Sequence, residues 1–398
     1  MEYKFANRIS SLKPSAIREI FKYAADSSYI SLSAGNPAPE AFPVKEIAEI
    51  SAKLLEENPI LALQYNQTEG YPLLREELKK YLKENHNIGR ESDTLIVTSG
   101  AQQIADLLTK ATVNEGDVVI SEAPSFIGCL NTFRAYGAKL VGVPMESDGM
   151  NVEKLEEALK NNPNAKFIYT IPNFQNPSGI TMSLEKRHAV YELAKKYGVL
   201  IFEDNPYGDL RYNGEYIPPI KSFDEDGIVM YAGSFSKVIS PGMRVAYVYG
   251  PTPVVQKMVI CKQGADVHTN IWSQVVCYHF MHDYDFNAHL ENLRKIYTKK
   301  RLVLLDAMEK YLTPYITWDD FDGGLFAWCH LPEGVDMQDF CMKAVERKVC
   351  VVPGTAFLTD STEKCDAFRI NFSTPTDEQL VKGIEILGGL IKDIMNEK

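Results

Sequence analysis

The sequence predicts an α/β fold: a mainly parallel sheet of roughly seven strands with helices on both faces, plus a smaller α+β domain. Three observations carry this. Short apolar runs recur from residue 94 to residue 249, most of them separated by helical patterns. The runs are continuous rather than alternating, the pattern of strands buried on both faces. From about Phe286 the character changes to a long charged helix followed by short strands and paired glycines.

Taken in order, the chain begins with an arm. Lys13-Pro14-Ser15 starts a helix with proline and serine as start signals, and Ile17, Ile20 and Phe21 form its apolar stripe. The proline-rich Gly35-Asn-Pro-Ala-Pro39 follows. Such an arm has no core of its own and is expected to pack on another part of the protein or on a second subunit. The expected strands are Thr94–Thr98, Asp117–Ser121, Lys139–Val143, Lys166–Thr170, Val199–Glu203, Ile228–Tyr231 and Val245–Tyr249. The last two are joined by a loop and not by a helix, so one of them is expected to run antiparallel. Beyond them come a helix around Ala288–Tyr311, then Trp318, Gly323-Gly324, and strands near Leu325–Trp328 and Phe368–Phe372. The expected division is residues 1–45 as arm and part of the small domain, 46–285 as the large domain, and 286–398 as the C-terminal small domain.

Composition excludes several classes of function. The 398 residues are 45% hydrophobic, enough for a large domain and a smaller companion. With 42 basic and 53 acidic residues the net charge is −11 and no basic tract occurs, so neither nucleic acid nor an anionic membrane has an electrostatic footprint here. Small molecules are the expected partners. No apolar stretch approaches the roughly 18–20 residues of a membrane span, and the amino terminus lacks a signal-peptide core. Seven scattered cysteines without a CxxC pair suit reduced thiols and a cytoplasmic location. His279, His282 and His289 have no acidic or thiolate partner spaced to complete a metal site, so no metal is expected.

Four motifs sit at expected strand ends, where open α/β sheets bind ligands. Ser234-Phe-Ser236-Lys237, followed by Arg244, surrounds one spot with two hydroxyls, an amine and a guanidinium. That set suits a phosphate together with an aldehyde, which is what pyridoxal 5′-phosphate (PLP) offers. Thr98-Ser-Gly-Ala-Gln-Gln103 opens a helix on small residues, leaving backbone N–H groups of Ala101 and Gln102 for an anion. In Ile171-Pro-Asn-Phe-Gln-Asn-Pro-Ser-Gly179 the following proline keeps Asn176 extended, with its amide presented as a donor. Phe202-Glu-Asp204-Asn-Pro-Tyr207 puts carboxylates at the end of a buried strand, where a cation such as a protonated pyridine nitrogen offsets their desolvation. Singly, each motif also reads as an ordinary turn; together, in this order, they supply an anion nest, an amide, a carboxylate with a phenol, and a lysine.

In that order and spacing the sequence resembles the PLP-dependent aminotransferases of fold type I, class I/II. Within them it is most similar to the 2-aminoadipate and kynurenine aminotransferase branch, through Ser15-Ala-Ile-Arg-Glu19 and Pro172-Asn-Phe-Gln-Asn-Pro-Ser-Gly179. The resemblance implies that Lys237 bonds the cofactor aldehyde and later serves as base, that Asp204 pairs with the ring nitrogen, and that Asn176 and Tyr207 meet the ring hydroxyl. It implies that Ala101, Gln102, Ser234, Ser236 and Arg244 hold the phosphate, with Tyr65 supplied by a neighbouring subunit in a homodimer. Phe126 falls where relatives often place a stacking tyrosine, keeping the ring face and losing the hydroxyl. Arg369 would clamp the substrate α-carboxylate, with Gly35 alongside, and Arg18 would meet a side-chain carboxylate. The expected activity is ping-pong transamination, with glutamate and 2-oxoglutarate as one pair. The other pair is an aromatic, 2-aminoadipate or large aliphatic amino acid, with Tyr23, Phe126, Tyr207 and Phe357 leaving room for it.

Three alternatives use the same residues. A fold-type-I lyase or decarboxylase shares the lysine and aspartate. Ser234-x-x-Lys237 also fits the SxxK acyl-hydrolase motif, which opens a helix and needs a later Lys-Thr-Gly that is absent here. A PLP-sensing regulator would carry a winged-helix domain ahead of the arm, for which about a dozen residues are too few.

Overall fold

A computed structural model describes residues 3–10, 23, 26–360 and 362–397. The expected arm helix and Arg18 lie outside the described residues. Strands are numbered along the chain as β1 (Ile30–Ser31), β2 (Asp93–Thr98), β3 (Val118–Ala123), β4 (Lys139–Glu146), β5 (Gly149–Met150), β6 (Ala165–Thr170), β7 (Leu200–Asp204), β8 (Val229–Ser234), β9 (Ala246–Pro251), β10 (Thr317–Trp318), β11 (Phe326–His330), β12 (Val349–Cys350), β13 (Val352–Pro353) and β14 (Ala367–Asn371).

The large sheet has the order β2-β9-β8-β7-β6-β3-β4-β5. Neighbours from β8 through β4 are parallel, while β9 is antiparallel to both β2 and β8. All seven expected strands are present, and β9 is the one that reverses; the two-residue β5 is an addition at the edge. Side-chain alternation explains the unbroken apolar runs. Val119, Phe167, Tyr169 and Phe202 face one core, and Val118, Ile120, Ile168 and Ile201 face the other, so both sides of the sheet are buried.

A separate small core, distinct from those on the two faces of the large sheet, is built on the antiparallel sheet β10-β11-β14-β13, with the helices Met337–Glu346 and Asp377–Asn396 packed against it. The helix Phe286–Tyr311 is common to both cores: Leu290, Leu293 and Tyr297 belong to the large one, Leu304, Ala307 and Met308 to the small one. The amino-terminal segment also crosses between them. β1 pairs in parallel with β12 and Leu32 is in the small core, whereas Ala38 and Ala41 are in the large core.

Most helices begin on a side-chain cap. Asn151, Ser183, Asn270, Asp285 and Asp336 accept the backbone N–H three residues on, and Thr376 with Gln379 forms a reciprocal capping box. Others do not, among them Ala101–Thr112 and Ile127–Ala135, which start from Gly100 and Phe126 with no side-chain cap. Both of these uncapped ends face the cavity described next.

Candidate active site

The carboxyl ends of β2, β6, β7 and β8 open on a cavity of about 530 Å³ between the two cores. Its walls include Gly35, Ala101, Gln102, Phe126, Asn176, Asp204, Tyr207, Ser234, Ser236, Lys237, Arg244 and Arg369, which brings together twelve of the fourteen residues given a catalytic, cofactor or substrate contact from sequence, and Phe357 as well. Tyr65 does not line the cavity of its own chain. It is 79% exposed, its ring edge-on to His268 at 5.7 Å. The fourteenth, Arg18, is outside the described residues.

Sheet topology accounts for the convergence. Thr98 at the end of β2 and Ser234 at the end of β8 both pair with Ala246, the first residue of β9. The anion nest and the lysine loop therefore flank one point of the sheet edge. Past Ser234 the chain turns through residues 235–239 and the short 3-10 turn Pro241–Met243. Ser234 thus ends a strand and does not open a helix, unlike an SxxK serine. Arg244 adopts a left-handed φ of 56° and aims its guanidinium at Ser99, whose carbonyl accepts from Nη2 at 3.2 Å. Gly100, at φ 87°, makes that approach possible: a Cβ there would lie 2.0 Å from Arg244 Nη2.

Lys237 Nζ donates to the Gly35 carbonyl at 2.6 Å. Burial, reinforced by the positive charges of Arg369 and Arg244, lowers its pKa to about 8. Asp204 is only 4% exposed. Tyr169 donates to its Oδ2 at 2.9 Å, while Oδ1 is buried without a partner. Burial raises the Asp204 pKa to about 6, with the Tyr169 hydrogen bond acting against the shift. The Tyr207 phenol, raised by burial, receives a 3.4 Å hydrogen bond from Asn176 Nδ2 and stands edge-on to Phe326.

Arg369 sits on β14 in the small core and reaches across to the large one. Its Nη1 donates to Asn176 Oδ1 and its Nη2 to the Ser33 carbonyl, both at 2.7 Å. The guanidinium lies 4.2 Å from the Phe326 ring centre and 4.9 Å from that of Phe357. Burial lowers its pKa to about 10, which still leaves it charged at neutral pH.

Several contributors were not read from sequence. Tyr169 orients Asp204; the continuous apolar run Lys166–Thr170, read as buried on both faces, already buried its hydroxyl, where a phenol needs an acceptor. Glu122, at the end of β3, accepts from Thr170 Oγ1, the Ile171 N–H and Gln175 Nε2, and so anchors the loop that presents Asn176. Its pKa is raised to about 7 by burial, held down by those same hydrogen bonds. Glu203 is buried as well, accepting the N–H groups of Ile220 and Lys221 at 2.8 Å, so it is a structural acceptor beside Asp204 and not a solvent-facing strand end. Phe326, Ile127 and Asn131 also line the walls.

Among the described residues no cluster of three or more histidine, cysteine or carboxylate side chains is placed to hold a metal ion, and no helix is long and apolar enough to cross a membrane. His279 is paired with Asp283, His282 with Glu77, and His289 with the Val238 carbonyl.

Three cationic groups and one carboxylate around an uncapped helix start suit a ligand with an anionic phosphate at one end and a basic ring nitrogen at the other. The orphaned Asp204 Oδ1, and the Arg244 guanidinium that Gly100 lets close on the helix start, both fit PLP. This fold and site define a PLP-dependent enzyme of fold type I. Residues 27–387 match the family described as aminotransferase class I and II, and the chain belongs to that family. It is 38% identical to aromatic-amino-acid aminotransferase 1 of Thermococcus litoralis, over 100% of this chain and 96% of that protein. A kynurenine aminotransferase of Pyrococcus horikoshii, solved with PMP, superposes with a TM-score of 0.94 at 35% identity, covering 98% of this chain and 97% of the other. An α-aminoadipate aminotransferase of Thermus thermophilus, complexed with N-(5′-phosphopyridoxyl)-L-leucine, gives 0.91 at 32% identity over 99% and 98%. The protein is an aminotransferase and its cofactor is PLP.

Proposed function

We propose that the protein moves the amino group of an L-amino acid to a 2-oxo acid by a ping-pong mechanism, with glutamate and 2-oxoglutarate as one pair. The second pair is an aromatic, 2-aminoadipate or large aliphatic amino acid. The observation that carries this reading is one cavity in which Lys237, Asp204 and Arg369 face a common volume. The apolar walls Phe126, Ile127, Phe326 and Phe357 suit a large side chain, and the similar proteins include enzymes named for aromatic amino acids and kynurenine.

In this reading PLP, when bound, supplies the electron sink that weakens bonds at the substrate Cα. Ala101, Gln102, Ser234, Ser236 and Arg244 hold its phosphate, Phe126 covers a ring face, Asn176 and Tyr207 hold its hydroxyl, and Asp204 keeps its nitrogen protonated. Arg369 takes the substrate carboxylate through two parallel hydrogen bonds, with the Gly35 backbone beside it, and this fixes the direction of the Cα–H bond. Lys237, released from the cofactor, takes the Cα proton and returns it at the cofactor carbon that carried the aldehyde. Arg18 meets the side-chain carboxylate of a dicarboxylic substrate. The chain divides at about residues 45 and 285.

The functional unit in this proposal is a cytoplasmic homodimer in which Tyr65 completes the partner's site. Ile60 and Leu63 are 70% and 75% exposed beside Tyr65, an apolar patch suited to a second copy, and all seven cysteines are free thiols. The primary test is Lys237→Ala. It is expected to abolish transamination and borohydride trapping of the cofactor, and undiminished turnover would refute the assignment.

A further inference from the structure

Behind the Ser99-Gly100-Ala101 turn lies a polar cluster that no step above uses. Lys262, the penultimate residue of the helix Thr252–Gln263, has its side chain fully buried. Its Nζ donates to both Asp266 oxygens at 2.7 and 2.8 Å, to Thr269 Oγ1 at 3.0 Å and to Gln103 Oε1 at 3.2 Å. Asp266 Oδ2 also accepts from Ser99 Oγ at 2.6 Å and from Gln103 Nε2 at 2.8 Å. The Ser99 N–H donates to Gln103 Oε1 at 2.7 Å, and its carbonyl accepts from Arg244. Every polar group of Ser99 is thereby held, two of them by this cluster directly.

An ion pair between a fully buried lysine and a half-buried aspartate is a weak source of stability, because desolvation of the lysine offsets much of the attraction. What this pair does have is convergence on one turn. Rotation of the Ser99 peptide would swing both the uncapped N–H groups after Gly100 and the carbonyl that steers Arg244. We propose that Lys262 and Asp266, acting through Gln103 and Ser99, are positioning residues for the phosphate cradle, holding the turn in the shape that grips the phosphate. The inference rests on the reading that the phosphate sits at this turn.

The test compares PLP with pyridoxal, which lacks the phosphate, in equilibrium binding to the full-length protein after cofactor removal. Lys262→Met is expected to weaken PLP binding about tenfold or more while changing pyridoxal binding by less than about threefold, as befits losing charge-assisted bonds behind the phosphate alone. Gln103→Met introduces no unpaired charge and is expected to act in the same direction, so it carries the test if Lys262→Met does not fold. Arg244→Ala is the control for the phosphate reading. If Arg244→Ala collapses the preference for PLP but both cluster variants leave it intact, the inference is overturned and the phosphate reading stands. Equal losses for PLP and pyridoxal in the cluster variants would show a merely structural role and also overturn it. If Arg244→Ala leaves the preference unchanged, the phosphate reading falls and the inference with it.

Discussion

Lys237 and Arg369 show how burial sets the working state of a side chain. A lysine must be neutral to attack an aldehyde, and at an ordinary amine pKa near 10.4 few molecules would be so at pH 7. With its pKa lowered to about 8, Lys237 gains its neutral form as pH rises through 8. The rate at which cofactor-depleted protein takes up PLP should therefore rise with pH and level off above about 8; a rate still climbing at pH 10 would contradict the shift. Arg369 makes the complementary case. Its planar guanidinium lies against Phe326 and Phe357 and already meets Asn176 and Ser33, an arrangement that a lysine ammonium cannot reproduce. Arg369→Lys should retain the cofactor spectrum and lower kcat/KM by roughly 10²-fold, the scale of a substrate held slightly out of line. Unchanged kcat/KM would remove Arg369 from substrate binding.

At the level of elements, the start of the Ala101–Thr112 helix belongs to the site. Helices such as Val152–Asn161 and Leu184–Tyr197 carry Asn or Ser caps, whereas the Ala101–Thr112 helix has no side-chain cap and leaves its first N–H groups to the cavity. Gly100→Ala is expected to cost roughly 1–3 kcal/mol in stability, from a side chain forced into a glycine-only conformation. It should also weaken PLP binding by pushing Arg244 aside. A variant with wild-type melting temperature and cofactor affinity would contradict this account. The strand-end motifs were legible in sequence because each is contiguous: a buried run followed at once by Lys237, Asp204, Asn176 or Ala101. Tyr169, Glu122 and Phe326 were not, since their roles depend on which strands lie side by side, and Tyr169 meets Asp204 only through the pairing of β6 with β7. The reversal of one of the last two strands was expected, but sequence did not say which; β9 reverses because the lysine loop is too short for a crossover helix.

For the whole molecule, two cores share one long helix and one amino-terminal segment, and the site lies between them. Arg369 comes from the small core, Lys237 and Asp204 from the large one. The exposed Tyr65 makes the proposed dimer testable. If each subunit lends Tyr65 to its partner, mixing Tyr65→Ala with Lys237→Ala subunits creates dimers with one intact site, and activity should reappear on mixing two weak or inactive preparations. Mixtures no more active than the sum of their parts would mean that each site is complete within one chain.

The reversed β9 sets a limit on the chain's length. Because Thr98 and Ser234 flank the same residue, Ala246, the hairpin from β8 to β9 carries both the Lys237 amine and the Arg244 guanidinium on a single short span. An inserted residue in that span would throw the two out of step, whereas the far edge beyond Gly149–Met150 has no such duty. The hairpin is the ruler that spaces the amine from the guanidinium.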